Sequence, residues 1–196
     1  MRRIISNFIS VMYSLVKFSI IKLFQWKTLS FYVIERFSPN VVTEFNKESK
    51  VTIGKRVRVH SGSKIKVRRD GNLRIGDDVR FNYNCVIVCR DRIEIGEGTE
   101  FGPSVYIYDH DHVYRERLQE NSFICEPISI GRNCWIGANC VLLRGTELGD
   151  NCVVGAGSVL KGKHKTDSVI IQKRATTVYD SSKCECKRNS VIRCDK

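Results

Sequence analysis

From Ile130 onward an aliphatic side chain returns at every sixth position, through Ile136, Leu142, Leu148 and Val154 to Leu160. Four positions after each of the first five stands a small residue, namely Cys134, Cys140, Thr146, Cys152 and Ser158, and glycine follows directly at Gly131, Gly137, Gly149 and Gly155. The same register runs upstream as Ile53, Val59, Ile65, then Ile75, Phe81, Ile87, then Ile95, Phe101, Ile107, with Gly54, Gly76, Gly96 and Gly102 in place. A period of six fits neither the 3.6 of an α-helix nor an uninterrupted strand; it describes a short strand plus a turn, repeated. Three such units close one triangular coil, with the large side chain pointing to the axis and the small one filling the corner, where a larger residue would overpack. The pattern predicts an all-β domain, a parallel β-helix of about five triangular coils over residues 51–162, whose stacked coils pair their backbones along the axis. Glycine after the aliphatic residue predicts a tight backbone bend. Cys85, Cys134, Cys140 and Cys152 all fall on the small corner position, so they are expected to pack rather than to bind metal or crosslink.

The register breaks between Ile107 and Ile130, which predicts an extruded loop at 109–127 with His110 and His112 at its root, flanked by Asp109 and Asp111. Long loops on rigid scaffolds carry function, and the residues alone leave either histidine open as the reactive one. The segment MRRIISNFISVMYSLVKFSIIKLFQW is apolar, but Lys17 and Lys22 interrupt it short of a bilayer span. It predicts either an interfacial helix, with Arg2, Arg3, Lys17, Lys22 and Lys27 at the headgroups, or a helix packed on the body or on a neighbouring subunit. Residues 1–50 then form an N-terminal helical extension and 163–196 a basic C-terminal tail, in which the spacing of Cys184, Cys186 and Cys194 is not that of a zinc site. With 33 Lys and Arg against 21 Asp and Glu, the net charge of +12 favours phosphate-bearing or anionic-lipid partners. The cations of KRVRVHSGSKIKVRRDGNLR read as solvated outward positions, and without interleaved aromatics they do not suggest nucleic acid. Nine cysteines without an export signal point to a reducing, cytoplasmic setting, peripheral to the membrane if the helix binds it.

The repeat, aliphatic-Gly-x-x-small-x, resembles the left-handed β-helix of the hexapeptide-repeat acyltransferases. VYIYDHDH followed by PISIGRNCWIGAN is similar to the maltose, galactoside and capsular-sugar O-acetyltransferases. This resemblance covers roughly residues 51–162. It implies a left-handed coil and acetyl transfer from acetyl-CoA to a sugar hydroxyl in surface or capsular polysaccharide synthesis. It also implies a homotrimer with sites between subunits and no metal. By motif, His112 takes the catalytic place, while His110 has no dependable counterpart and joins Asn84, Asp109 and Trp135 on the acceptor side. The Ala138 amide would face the thioester oxygen, Ala156 the pantetheine, and Lys161 and Lys163 the nucleotide phosphates. Asp109, Asp111 or a backbone carbonyl would orient the imidazole, although strand alternation sends both carboxylates away from both histidines. The C-terminus departs from the pattern, lacking Gly-x-Pro-Ala, with Lys173 and Arg174 on comparable ground. Two rivals share the scaffold. A γ-type carbonic anhydrase needs three zinc-binding histidines, which the spacing of His60, His110, His112 and His164 does not match. A non-catalytic module would use the basic stretch to bind anionic membrane.

Overall fold

The computed structural model describes residues 2–32, 34–114 and 122–173, without the side chains of residues 2–4 and 6. One helix, α1 (Arg2–Phe24), precedes a parallel β-helix with three faces. Sheet 1 runs from Leu29–Ser30 to Lys163–His164 and sheet 2 from Arg36–Phe37 to Val169–Ile170, with seven strands each; sheet 3 runs from Val42–Phe45 to Val159–Leu160 with six. The solenoid is therefore longer at both ends than the predicted five coils. It begins at Leu29 rather than residue 51 and continues to Ile170, so much of the expected N-terminal extension and the start of the expected tail are coil. The first coil hides in the sequence because its segment, LSFYVIERFSPNVVTEF, lacks the glycine and small-residue marks while still donating Leu29 and Phe37 to the core. Arg174 and the cysteines of the tail lie outside the described residues.

Every predicted axial position is buried, because the coils stack like on like. On sheet 1 Ile53, Ile75, Ile95, Ile130 and Leu148 are in register, and on sheet 2 Val59, Phe81, Phe101, Ile136 and Val154. Phe81 and Phe101 stack with ring centres 4.6 Å apart. The glycines that follow these residues bring a detail that the sequence left open. None of them adopts a positive φ; that conformation falls instead on corner residues such as Asn84, Ser104, Asn133 and Asn139. Their role is close approach, since a Cβ at Gly96 would lie 2.5 Å from the Gly131 carbonyl in the next coil. The small corner residues donate hydrogen bonds between coils. The thiols of Cys85, Cys134 and Cys140 each reach a carbonyl 3.2 Å away, as the Thr99 hydroxyl does at 2.9 Å. Burial pushes these three thiols up from their ordinary pKa, which keeps them protonated as donors rather than as nucleophiles.

Helix α1 caps the first coil. Phe18 meets Phe37 edge-on at 4.8 Å, the Phe37 amide donates to the Ser14 hydroxyl at 2.8 Å, and Lys17 Nζ donates to the Val41 carbonyl at 2.9 Å. The opposite side exposes a stripe of Ile5, Phe8, Ile9, Met12, Val16, Ile20, Leu23 and Phe24. Packing on the body and presenting an apolar face are thus both true of one helix. Its Asn7–Phe24 window, with a mean hydropathy of 1.4, is long and apolar enough to cross a membrane by length and composition, despite the two lysines. Ser14, Lys17 and Phe18 nevertheless hold it against the coil.

Glu35, beside this junction, is 1% exposed and accepts the Tyr32 amide at 2.6 Å. Burial raises its pKa from 4.5 to about 7. Below pH 4.5 both folded and unfolded chains hold the proton; between 4.5 and about 7 only the unfolded chain ionises, so stability falls as pH rises across that window. Glu35→Gln is therefore expected to raise the melting temperature by several degrees at pH 8 and to leave it nearly unchanged at pH 4. An equal shift at both values would contradict this.

Candidate active site

The break in the repeat forms a hairpin. His110–His112 pairs antiparallel with Phe123–Cys125 at the edge where sheet 3 turns into sheet 1, and residues 115–121 of the predicted loop lie outside the described residues. Asp109, just before it, is fully buried. Its carboxylate accepts the amides of Arg90 at 2.9 Å and Asp91 at 2.8 Å, tying the hairpin root to the preceding coil. It also lies 3.0 Å from His110 Nδ1. Two expectations are corrected here. Asp109 cannot contact an acceptor, because no surface of it reaches solvent; and a carboxylate does pair directly with a histidine, but with His110. Alternation failed as a guide because the strand ends at Tyr108 and the chain bends at Asp109.

His110 is mostly enclosed, its side chain 11% exposed and its ring edge-on to Phe123 at 5.5 Å. His112 is exposed, with its ring 4.7 Å from the same Phe123, and no carboxylate pairs with it among the described residues. Phe123 also receives the Arg90 guanidinium over its face, 3.4 Å from the ring centre. Asp111 binds Arg144 Nε at 2.6 Å, and Arg144 also bonds Glu126 at the returning arm. One cation thus clamps both arms of the hairpin to the coil beneath. Arg90, Phe123, Glu126 and Arg144 were missed in the sequence. The only signal was Arg144 in LLRGT, a cation inside an otherwise apolar rung.

The other predicted residues lie elsewhere. Asn84, Ala138 and Ala156 stack along the edge between sheets 2 and 3, where Asn84 and Asn139 hold positive φ and each coil's turn donates to a carbonyl of the coil before. The Ala138 amide is taken by no acceptor among the described residues. Trp135 stands on sheet 2 between Glu100 and Val153 and is 60% exposed, so it does not wall the hairpin of its own chain. Lys161 and Lys163 flank the turn from sheet 3 to sheet 1, the hairpin's own edge; Lys163 pairs with Glu147 at 3.0 Å. One chain therefore separates the candidate residues into two sets on different edges. The width of sheet 3, roughly 15 to 20 Å by strand rise, lies between them.

Comparison with known proteins supports this architecture. Residues 127–161 match the family model "Hexapeptide repeat of succinyl-transferase". Nodulation protein L of Rhizobium leguminosarum is 47% identical over 75 residues, 38% of this chain and 40% of that protein. Galactoside O-acetyltransferase of Escherichia coli is 32% identical over 90 residues, 45% of this chain and 44% of that protein. The matches thus span less than half the length of these relatives. Among solved structures, the N-acyltransferase AntD of Bacillus cereus, in complex with coenzyme A and dTDP-4-amino-4,6-dideoxyglucose, superposes with a TM-score of 0.59 at 14% identity, covering 79% of this chain and 82% of that one. At that identity the likeness establishes the fold.

Proposed function

Taking this chain as a hexapeptide-repeat protein with the left-handed β-helix of the acetyltransferases, we propose that it is an acetyl-CoA-dependent O-acetyltransferase acting on a sugar hydroxyl. The observation that carries this reading is the exposed imidazole of His112 on a hairpin held rigid at its root by Asp109 and Arg144, within a coil that resembles a galactoside O-acetyltransferase. His112 removes the hydroxyl proton as the sugar oxygen attacks the thioester carbonyl. The tetrahedral intermediate then collapses, the carbon–sulfur bond breaks, and the imidazolium returns the proton to the departing CoA thiolate. The Ala138 amide is suited to the developing oxyanion. His110, fixed by Asp109, positions the hairpin rather than touching substrate.

Because His112 and Asn84 lie on different edges, a working site needs the hairpin edge of one chain beside the Asn84 edge of another, as in a homotrimer with its sites between subunits. Acetyl-CoA would lie in that groove, with Ala156 near the pantetheine and Lys161 and Lys163 near the phosphates. A surface-polysaccharide precursor as acceptor, met at the membrane through the apolar stripe of α1, completes the proposal. Incubating the purified chain with acetyl-CoA and a panel of free, nucleotide-linked and lipid-linked sugars, while following released thiol, tests it. Release that depends on a sugar is expected; no release with any sugar would refute it.

A further inference from the structure

A general base works only while its ring nitrogen is aimed at the proton it removes, and His112 lacks the usual means of aiming it. The buried carboxylate at the hairpin root is taken by His110, 3.0 Å away, and none pairs with His112 among the described residues. The second side-chain torsion of histidine is broad, so an exposed imidazole without such a partner turns within its rotamer unless something packs against it. The returning arm of the hairpin supplies that packing. His112 stands directly opposite Phe123, and the two rings lie 4.7 Å apart, tilted by 49°. The backbone brings them close. The Val113 amide donates to the Ser122 carbonyl and the Glu126 amide to the Asp109 carbonyl, both at 3.0 Å, so the hydrogen-bonded pairs fall on Asp109, Asp111 and Val113. His112 and Phe123 form a pair of the other kind, in which cross-strand side chains approach most closely.

Phe123 is itself held. The Arg90 guanidinium lies over its face, 3.4 Å from the ring centre, and the His110 ring meets it edge-on at 5.5 Å. Both of these holders are tied to one anchor, since the Asp109 carboxylate accepts the Arg90 amide at 2.9 Å and pairs with His110 Nδ1. Within the arms, alternation sets His110, His112 and Phe123 on one face of the hairpin, while Asp111 leaves the other face for Arg144 at 2.6 Å. The rigidity of the buried root therefore reaches the exposed imidazole through a ring rather than through a hydrogen bond. We propose that Phe123, backed by Arg90, is the positioning residue of His112, doing by packing what a carboxylate does for His110. The inference rests on reading His112 as the general base and deepens it. It also accounts for Asp109 serving His110: fixing that ring fixes one side of Phe123.

Nuclear magnetic resonance of the full-length chain with labelled histidine tests the proposal. The chain has four histidines, and His112→Ala identifies the imidazole signal to follow by removing it. The ring current of Phe123 displaces that signal in the wild type, so F123L, which keeps an apolar side chain but no ring, is expected to move it toward the position of a free imidazole. In the same variant kcat for sugar-dependent thiol release should fall by about 10- to 10²-fold, the cost of a slightly misplaced group, with the KM for acetyl-CoA nearly unchanged. F123Y, which keeps the ring, should restore both the signal and most of kcat. R90K keeps the charge but loses the plane that lies on Phe123, and is expected to shift the signal and lower kcat in the same direction by less than F123L. The melting temperature reports whether each variant is folded, and R90K carries the decision if F123L is not. A purely structural Phe123 would lower the melting temperature and leave the His112 signal and kcat in place. An unmoved His112 signal, or an unchanged kcat, in folded F123L or R90K overturns the proposal. Failure of the acetyl-transfer reading would look different: no thiol release from the wild type with any sugar, while the signal in F123L still reports whether Phe123 holds the imidazole.

Discussion

Replacing His112 with alanine is expected to lower sugar-dependent thiol release by about 10² to 10⁴-fold, the range that a positioned general base contributes. The melting temperature should hardly move, because His112 is exposed and makes no carboxylate pair among the described residues. His110 provides the contrast. Its imidazole is enclosed and joined to buried Asp109, so His110→Ala should cost both stability and activity, with activity falling as the hairpin loosens. Asp109→Asn tightens the distinction, since it removes the anion that gathers the Arg90 and Asp91 amides while leaving both histidines in place. If His110→Ala abolished transfer in a fully stable chain and His112→Ala did not, the roles assigned to the two histidines would be exchanged.

The coil was legible in the sequence because a solenoid repeats one local solution. Ile130, Ile136 and Leu142 meet the same neighbours in successive positions, so a six-residue period reports burial directly. What the period could not convey was why glycine follows. The steric reason lies in the next coil, as at Gly96 against Gly131, and contacts between coils have no fixed separation in sequence once a loop intervenes. The same blindness hid the ends. Leu29 and Phe37 join sheets whose marks they do not carry, since the first coil is finished on its outer side by α1 rather than by another coil.

The candidate site was legible only in part, for a related reason. His110 and His112 announce themselves by standing where the repeat fails. Their partners come from coils far away along the chain, Arg90 from the coil before and Arg144 from the coil after, and nothing local to those residues signals the meeting. Alternation misassigned the carboxylates because it holds only while the strand lasts. Arg58 was read as solvated for want of any sequence sign that α1 folds back beside it to make a cleft. Trp135, by contrast, was placed beside the site by likeness of motif, and it stands 60% exposed on sheet 2, away from the hairpin of its own chain.

The claim on which the function turns is that the site is shared, with the His112 edge of one chain completing the Asn84 edge of another. Each of His112→Ala and Asn84→Ala should be nearly inactive alone. Co-expressed in equal amounts, they should assemble trimers in which about a quarter of the interfaces pair an intact His112 with an intact Asn84, and thiol release should recover to about a quarter of the wild-type rate. Recovery to that level is the predicted result. Mixed trimers that stay as inactive as either parent would contradict the account, because the two residues would then have to serve within one chain.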